Sequence, residues 1–319
     1  MKDPKKEEKI HVGGQAILEG VMMRSPDKMS VAVRKPNGTI AVQIRDFISL
    51  TKKSKLLGLP FVRGGIILIE SMVLGIQALN LSGEIAIEEE KKKENEAKEI
   101  KEEKPENKFL TRLYLAFMVV FSLAVGIGLF FYLPLVLTNL LGIENGFLFN
   151  LIDGVFRLIV FLLYLYVISR WKEIKRVFEY HGAEHKSIFA FENEKLVSVD
   201  AASKYTTFHP RCGTSFLMVV LITSIIVFVF LGKPETIGER FLRLAFIPLI
   251  GGISYELIKL SDKIGNNVLF KSFLAPGLWL QRITTQEPDN QQLEVAIVAL
   301  KAALGQTLPA DVVLIEDKG

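Results

Sequence analysis

The sequence predicts a mainly α-helical integral membrane protein: about four transmembrane helices, a re-entrant or interfacial segment, and a small β-containing N-terminal subdomain in the cytoplasm. Three observations lead there. Half of the 319 residues are hydrophobic and mean hydropathy is positive, although 23% of the chain is charged. Charge and apolar surface are therefore segregated along the chain. Four apolar stretches approach the roughly 20 residues a helix needs to cross about 30 Å of hydrocarbon. Near the N-terminus, alternating apolar residues flank an Asn-Gly pair, a strong short-range hairpin signal.

Residues 1–60 form the expected N-terminal subdomain. Val31, Val33, Ile40, Val42 and Ile44 alternate around Asn37-Gly38. A two-residue turn there pairs Val33 with Val42 and Val31 with Ile44 on one face. Upstream, Gly13–Arg24 is Gly-rich, but no Gly-Lys-Ser/Thr follows, so it is not a phosphate loop. It reads as a turn plus a strand, with Glu19 and Arg24 as secondary site candidates. No apolar stretch of signal-peptide type follows the Lys/Glu-rich start.

Residues 61–83 are apolar but include Arg63 and Glu70. Each charge at a bilayer centre costs roughly 2.5–3.5 kcal/mol on insertion scales, so a re-entrant or interfacial hairpin is expected. Residues 84–108, a Glu/Lys run, read as a solvated linker. Residues 109–169 hold the first two spans, 111–137 and 146–169. The second carries Asp153 and Arg157, spaced to pair within one helix. Residues 214–260 hold the third and fourth spans, 214–231 and 241–260. Residues 261–319 should be cytoplasmic, with an Asp289-capped amphipathic helix presenting Leu293, Ile297, Leu300 and Leu304.

Orientation follows the positive-inside rule. Eight Lys or Arg lie in residues 170–213 and none in 138–145. The 170–213 loop is therefore expected in the cytoplasm of a multi-pass cell-membrane protein, although Lys233, Arg240 and Arg243 stand on the opposite side. Membrane lipid is the expected partner. A net charge of +4 gives no case for specific nucleic-acid binding. One cysteine excludes an internal disulfide framework.

That loop holds three of the four histidines and the cysteine. His181, Glu184 and His185 read H-x-x-E-H, and two histidines four apart share a helix face. His209 and Cys212 read H-P-x-C-G, a zinc-knuckle turn with His in the first ligand place. Imidazole and thiolate are zinc ligands of choice. If His181, His185, His209 and Cys212 all bind, the site is closed and structural. If one stays off, an open position would hold water that Glu184 could deprotonate. The H-x-x-E-H pattern also matches inverzincin peptidases, in which a distant Glu completes the site, a part Glu256 could play. Gly182, a poor helix-interior residue, argues against that match.

Longer motifs carry a family resemblance. G-G-Q-A-x-x-E-G-V-M-M-R at 13–24, Y-H-G-A-E-H-K at 180–186, H-P-R-C-G-T-S-F at 209–216 and R-I-T-T-Q-E-P at 282–288 resemble the YqhQ-like family of bacterial membrane proteins. The resemblance covers nearly the whole chain except the Glu/Lys linker. It implies a membrane domain of unknown function, commonly labelled a metal-dependent enzyme. Two functions follow as expectations: a zinc-dependent hydrolase at the membrane surface, or a scaffold or membrane-protein biogenesis factor folded around structural zinc. A metal transporter fits less well, because the ligands sit in a loop rather than along a span.

Overall fold

A computed structural model describes residues 10–97, 108–195, 197–264 and 268–316. The chain opens with four strands, β1 (Gly13–Ile17), β2 (Gly20–Arg24), β3 (Lys28–Arg34) and β4 (Ile40–Asp46), which form an antiparallel meander. A short helix follows, α1 (Leu50–Lys53), then the long α2 (Val62–Ala97). Next come α3 (Lys108–Ile127), a π-turn at Gly128–Tyr132, α4 (Leu133–Asn139) and α5 (Gly146–Ile168). The 170–213 region holds α6 (Lys172–Glu194) and α7 (Val199–Ser203). The remaining helices are α8 (Gly213–Phe230), α9 (Ile237–Ala245), α10 (Ile247–Ile264), α11 (Val268–Thr284) and α12 (Asn290–Leu304). Strand β5 (Val312–Leu314) returns to pair in parallel with β4, which places the C-terminal segment on the edge of the N-terminal sheet.

The sheet is buried on both faces, which the alternating pattern did not anticipate. Val31 and Val33 face α2, in a core with Ile17, Met22, Met29, Ala41, Leu74, Ala78 and Ile85. Val21, Met23, Ala32, Ile40 and Val42 face α6 and α12. The expected hairpin register is displaced by one residue: Val33 pairs with Ala41 and Val31 with Gln43. Pro36 is the physical reason. Its ring fixes φ and starts the turn one residue earlier. Of the residues in this turn, only Gly38 has positive φ, and Asn37 instead accepts a hydrogen bond from the Thr39 amide. A two-residue type I′ turn would need positive φ at both Asn37 and Gly38. The one-residue shift sends Val42 to the opposite face from Val31 and Val33.

Helix α12 is also more enclosed than a one-faced amphipathic helix. Besides the expected stripe, Val295, Ala296, Val298, Ala299, Ala302 and Ala303 are buried, and Ser30 donates to the Ala299 carbonyl at 2.6 Å. The helix lies between the sheet and α6. Its capping box at Asp289 and Gln292 agrees with the expected start.

Among the described residues, five helical stretches are long and apolar enough to cross a membrane: Val62–Ile87, Phe117–Asn139, Gly146–Ile168, Gly213–Phe230 and Gly238–Ser261. The last four correspond to the expected spans. The first corrects the hairpin expected for residues 61–83, because α2 is one continuous helix that also takes in residues 84–97 of the Glu/Lys run. The rest of that linker, 98–107, lies outside the described residues. Both charges that suggested a break have partners. Arg63 donates to Glu256 on α10 at 2.6 Å, and Glu70 accepts from Ser49 Oγ at 2.7 Å and the Leu50 amide at 2.6 Å. Near its start, α2 crosses α10 at two glycines. A Cβ on Gly64 would lie 2.8 Å from the Gly252 Cα, and one on Gly252 would lie 2.1 Å from the Phe61 carbonyl oxygen.

This contact predicts that Gly252→Ala destabilises the protein by about 1–3 kcal/mol through overpacking. A lower melting temperature in detergent, with Gly83→Ala unchanged because nothing lies within 4 Å of its Cβ position, is the expected outcome.

Candidate metal centre

Helix α6 carries His181, Glu184 and His185 on consecutive turns and runs unbroken through Gly182. The glycine has a local reason. A Cβ there would lie 2.1 Å from the Gln286 carbonyl oxygen. The segment after α11 thus presses directly on the α6 backbone, and the Gln286 amide donates to the Phe178 carbonyl at 2.9 Å. Cys212 caps the N-terminus of α8, and its sulfur accepts from the Thr214 amide at 3.3 Å.

The two imidazoles are oriented in the same way. His181 Nδ1 is 2.8 Å from the Thr284 carbonyl oxygen, and His185 Nδ1 contacts the Thr207 carbonyl oxygen. A carbonyl can only accept, so each Nδ1 carries the proton and each Nε2 offers a lone pair. Among the described residues His185 Nε2 is buried without a hydrogen-bond partner, and His181 Nε2 lies 3.1 Å from Cys212 Sγ. The ligand atoms of His181, His185 and Cys212 all lie within 4.8 Å of one another. An unpartnered buried nitrogen beside a second imidazole and a sulfur fits a metal ion. Burial holds the His185 pKa below its ordinary value, which favours the neutral ring a metal requires.

Glu184 faces the same space. Its Oε2 is 3.8 Å from His181 Nε2 and 3.7 Å from His185 Nε2. Burial pushes its carboxyl pKa up, against the pull of His181, His209 and the Gly14 amide. The Gly-rich β1 strand therefore reaches the site through its backbone. A Cβ on Gly14 would sit 2.8 Å from Glu184 Cγ.

His209 stands apart from the trio. Its Nδ1 accepts from the Arg211 amide at 3.3 Å, and its Nε2 is 3.4 Å from Glu192 Oε2. The ring packs edge-on against Phe189, 4.6 Å between centroids. Burial disfavours the Glu192 charge, but His209 and Arg211 outweigh it and hold that carboxyl below its usual range. Gln281 clamps the His209 backbone on both sides, accepting from its amide at 2.7 Å and donating to its carbonyl at 2.8 Å. Gln281 and Thr284 thus support the site from α11. Their only sequence signal was the R-I-T-T-Q-E-P motif, which Gln281 directly precedes and Thr284 belongs to.

The remaining candidates lie elsewhere. Glu256 pairs with Arg63 between α10 and α2, so it does not complete an inverzincin-type site. Glu19 occupies the β1–β2 turn at φ 53° and binds Arg176 through both carboxylate oxygens. Arg24 stacks over Phe47, 4.2 Å from the ring centroid, and lies 3.9 Å from Glu70.

The sequence profile of a family described as "Protein of unknown function (DUF1385)" matches residues 59–306. The Bacillus subtilis (strain 168) protein described as "Uncharacterized protein YqhQ" is 34% identical over 304 residues, 92% of each chain. No solved structure matches the chain.

The geometry predicts different roles for the two kinds of histidine. His181→Ala and Cys212→Ser should lose bound metal, whereas His209→Ala should retain it with a lowered melting temperature. Elemental analysis of detergent-purified variants, beside their melting curves, makes the comparison.

Proposed function

The chain belongs to the DUF1385 family, whose description assigns no chemistry, and we propose that it is a multi-pass membrane protein with a zinc-dependent hydrolase site on its cytoplasmic face. The carrying observation is the position of Glu184. Its carboxylate lies 3.7 and 3.8 Å from the two Nε2 atoms, beside the three-ligand group rather than within it. Three protein ligands leave zinc an open position, the pattern of catalytic rather than structural sites. When bound, zinc would supply Lewis acidity to the scissile group. His181, His185 and Cys212 would hold the ion, with the two imidazoles fixed by the Thr284 and Thr207 carbonyls. Glu184, with its raised pKa, takes a proton from the attacking water and returns it to the leaving group.

The membrane arrangement rests on a parity argument. The sheet packs against α6, so both lie on one side of the bilayer. Between them the chain passes through α2, the α3–α4 rod and α5, and an even number of these must cross. The α3–α4 rod and α5 cross. Helix α2 enters the bilayer only near its start, because Leu74, Ala78 and Ile85 farther along pack on the sheet. The same count, with α8 and α10 crossing, returns α12 to the sheet. Exposed Phe117, Val120, Phe121, Ile159 and Leu163 form lipid-facing surface. The eight basic residues of the 170–213 loop support a cytoplasmic sheet side under the positive-inside rule.

A structural zinc site in a non-enzymatic scaffold is favoured by one observation, the depth of burial: His185 is 1% and Glu184 5% exposed. Glu184→Gln separates the two readings. In the hydrolase it keeps stoichiometric metal and fold yet abolishes the cellular phenotype of a deletion-complementation assay, as loss of a base typically costs about 10²–10⁴ in rate. In a scaffold it is silent. For topology, Glu144→Cys should react with an impermeant thiol reagent in intact cells, and Asn193→Cys only after permeabilisation. The reverse labelling pattern contradicts the assigned orientation.

A further inference from the structure

A second polar site lies at the other end of the helical bundle. Helix α8 begins at the metal-site cysteine, and Phe228 sits sixteen residues further on, about 24 Å along the axis at 1.5 Å per residue. Around that ring gather charges from two other helices. The Arg157 guanidinium lies 5.7 Å from the Phe228 centroid and the Arg243 guanidinium 5.1 Å. Arg157 also donates to Asp153 Oδ2 at 2.7 Å, and Arg243 donates to Asn150 Oδ1 at 2.8 Å. Asn150 is held in turn by the Gly146 and Gly232 carbonyls, to which its amide donates at 2.9 and 2.8 Å.

All of these side chains are more than nine-tenths buried: Asn150 1%, Asp153 1%, Arg157 8% and Arg243 3% exposed. Three of their polar atoms are buried without a partner among the described residues, namely Arg157 Nη2, Arg243 Nη1 and Asp153 Oδ1. Buried polar groups are normally satisfied, and an unpaired buried charge costs far more than an unpaired hydroxyl. Among the described buried groups the charges do not balance: two guanidinium groups lie beside one carboxylate. Glu239, one turn before Arg243 on α9, attracts the Arg243 charge but is itself exposed and accepts from the Glu235 and Thr236 amides.

We propose that Arg157 and Arg243 form a binding site for a small monovalent anion inside the bundle. Two of the three unpartnered atoms are guanidinium nitrogens able to donate to it. One negative charge cancels the excess of the two arginines over Asp153. Water alone would satisfy the hydrogen bonds but leave the net charge buried. An anion as large as a phosphate monoester is disfavoured, because Asp153 stands beside the guanidinium groups and repels a second negative charge. The same reading explains Arg243 in the charge pattern: it is a buried binding residue rather than a topogenic surface charge. The site is independent of the metal centre and of the hydrolase reading.

The test uses full-length protein purified in detergent with chloride replaced by gluconate throughout. Titration of chloride back, at constant ionic strength, should raise the melting temperature along a saturating curve. Bromide should do the same and give an anomalous peak between Arg157 and Arg243 in crystals. Arg157→Lys keeps the charge and removes guanidinium donors, so its half-saturating chloride concentration should rise several-fold. Arg243→Gln should abolish the dependence, and Arg243→Lys serves if the glutamine variant fails to fold. Melting that is indifferent to chloride in the wild type overturns the proposal and leaves water as the occupant. A dependence undiminished in both Arg157→Lys and the folded Arg243 variant overturns it as well, by placing the anion elsewhere.

Discussion

Two backbone carbonyls determine what the histidines of this protein can do. Thr207 and Thr284 each accept from an Nδ1, so both Nε2 lone pairs converge beside Cys212 Sγ. Neither carbonyl belongs to α6. One comes from the segment before Cys212 and the other from the last turn of α11. The site therefore exists only when three separate parts of the chain are docked. Gly182 makes the docking possible, since any larger residue would meet the Gln286 carbonyl. Gln281 holds the turn that delivers the cysteine by bonding the His209 backbone on both sides and Ser215 as well. The candidate metal centre is in this sense a property of the tertiary fold, with local sequence supplying only its candidate ligands.

The same logic shapes the rest of the molecule. The sheet, α6 and α12 form one buried core, and α2 covers the sheet's other face. Helix α2 has two environments, the glycine crossing with α10 near its start and the sheet beyond Glu70. Its charges are placed accordingly. Arg63 is satisfied by Glu256 at the crossing, and Glu70 by Ser49 and Leu50 where the helix meets the N-terminal unit. A buried charge that loses its partner typically costs several kcal/mol, which applies to Glu70; the Arg63–Glu256 pair is only half-buried and aligns α2 with α10 more weakly.

Much of this was legible in the sequence, and the misses have physical causes. Periodicity and length identified four apolar rods, and the spacing of His181 and His185 placed them on one helical face. The Asp153–Arg157 pair followed from i to i+4 spacing alone. The role of His209 did not, because it is set by Glu192 on α6 and by Phe189, contacts that close only in three dimensions. The β3–β4 register failed because Asn37-Gly38 was read without Pro36. The α2 segment was misjudged because its charges were counted as costs before their partners were visible. Gln281 and Thr284 lay beside or within a recognisable motif whose physical task only the docked α11 reveals.

The central claim is that a single metal ion is bound by two imidazoles and one thiolate with His209 excluded. X-ray absorption spectroscopy at the metal edge of the purified, metal-replete protein addresses that directly. For zinc, the account predicts one sulfur at about 2.3 Å, nitrogen or oxygen neighbours at about 2.0–2.2 Å, and outer-shell scattering from two imidazole rings. The spectrum of His209→Ala should be the same. Scattering from three imidazoles that falls to two in His209→Ala, or a first shell without sulfur, would contradict the account.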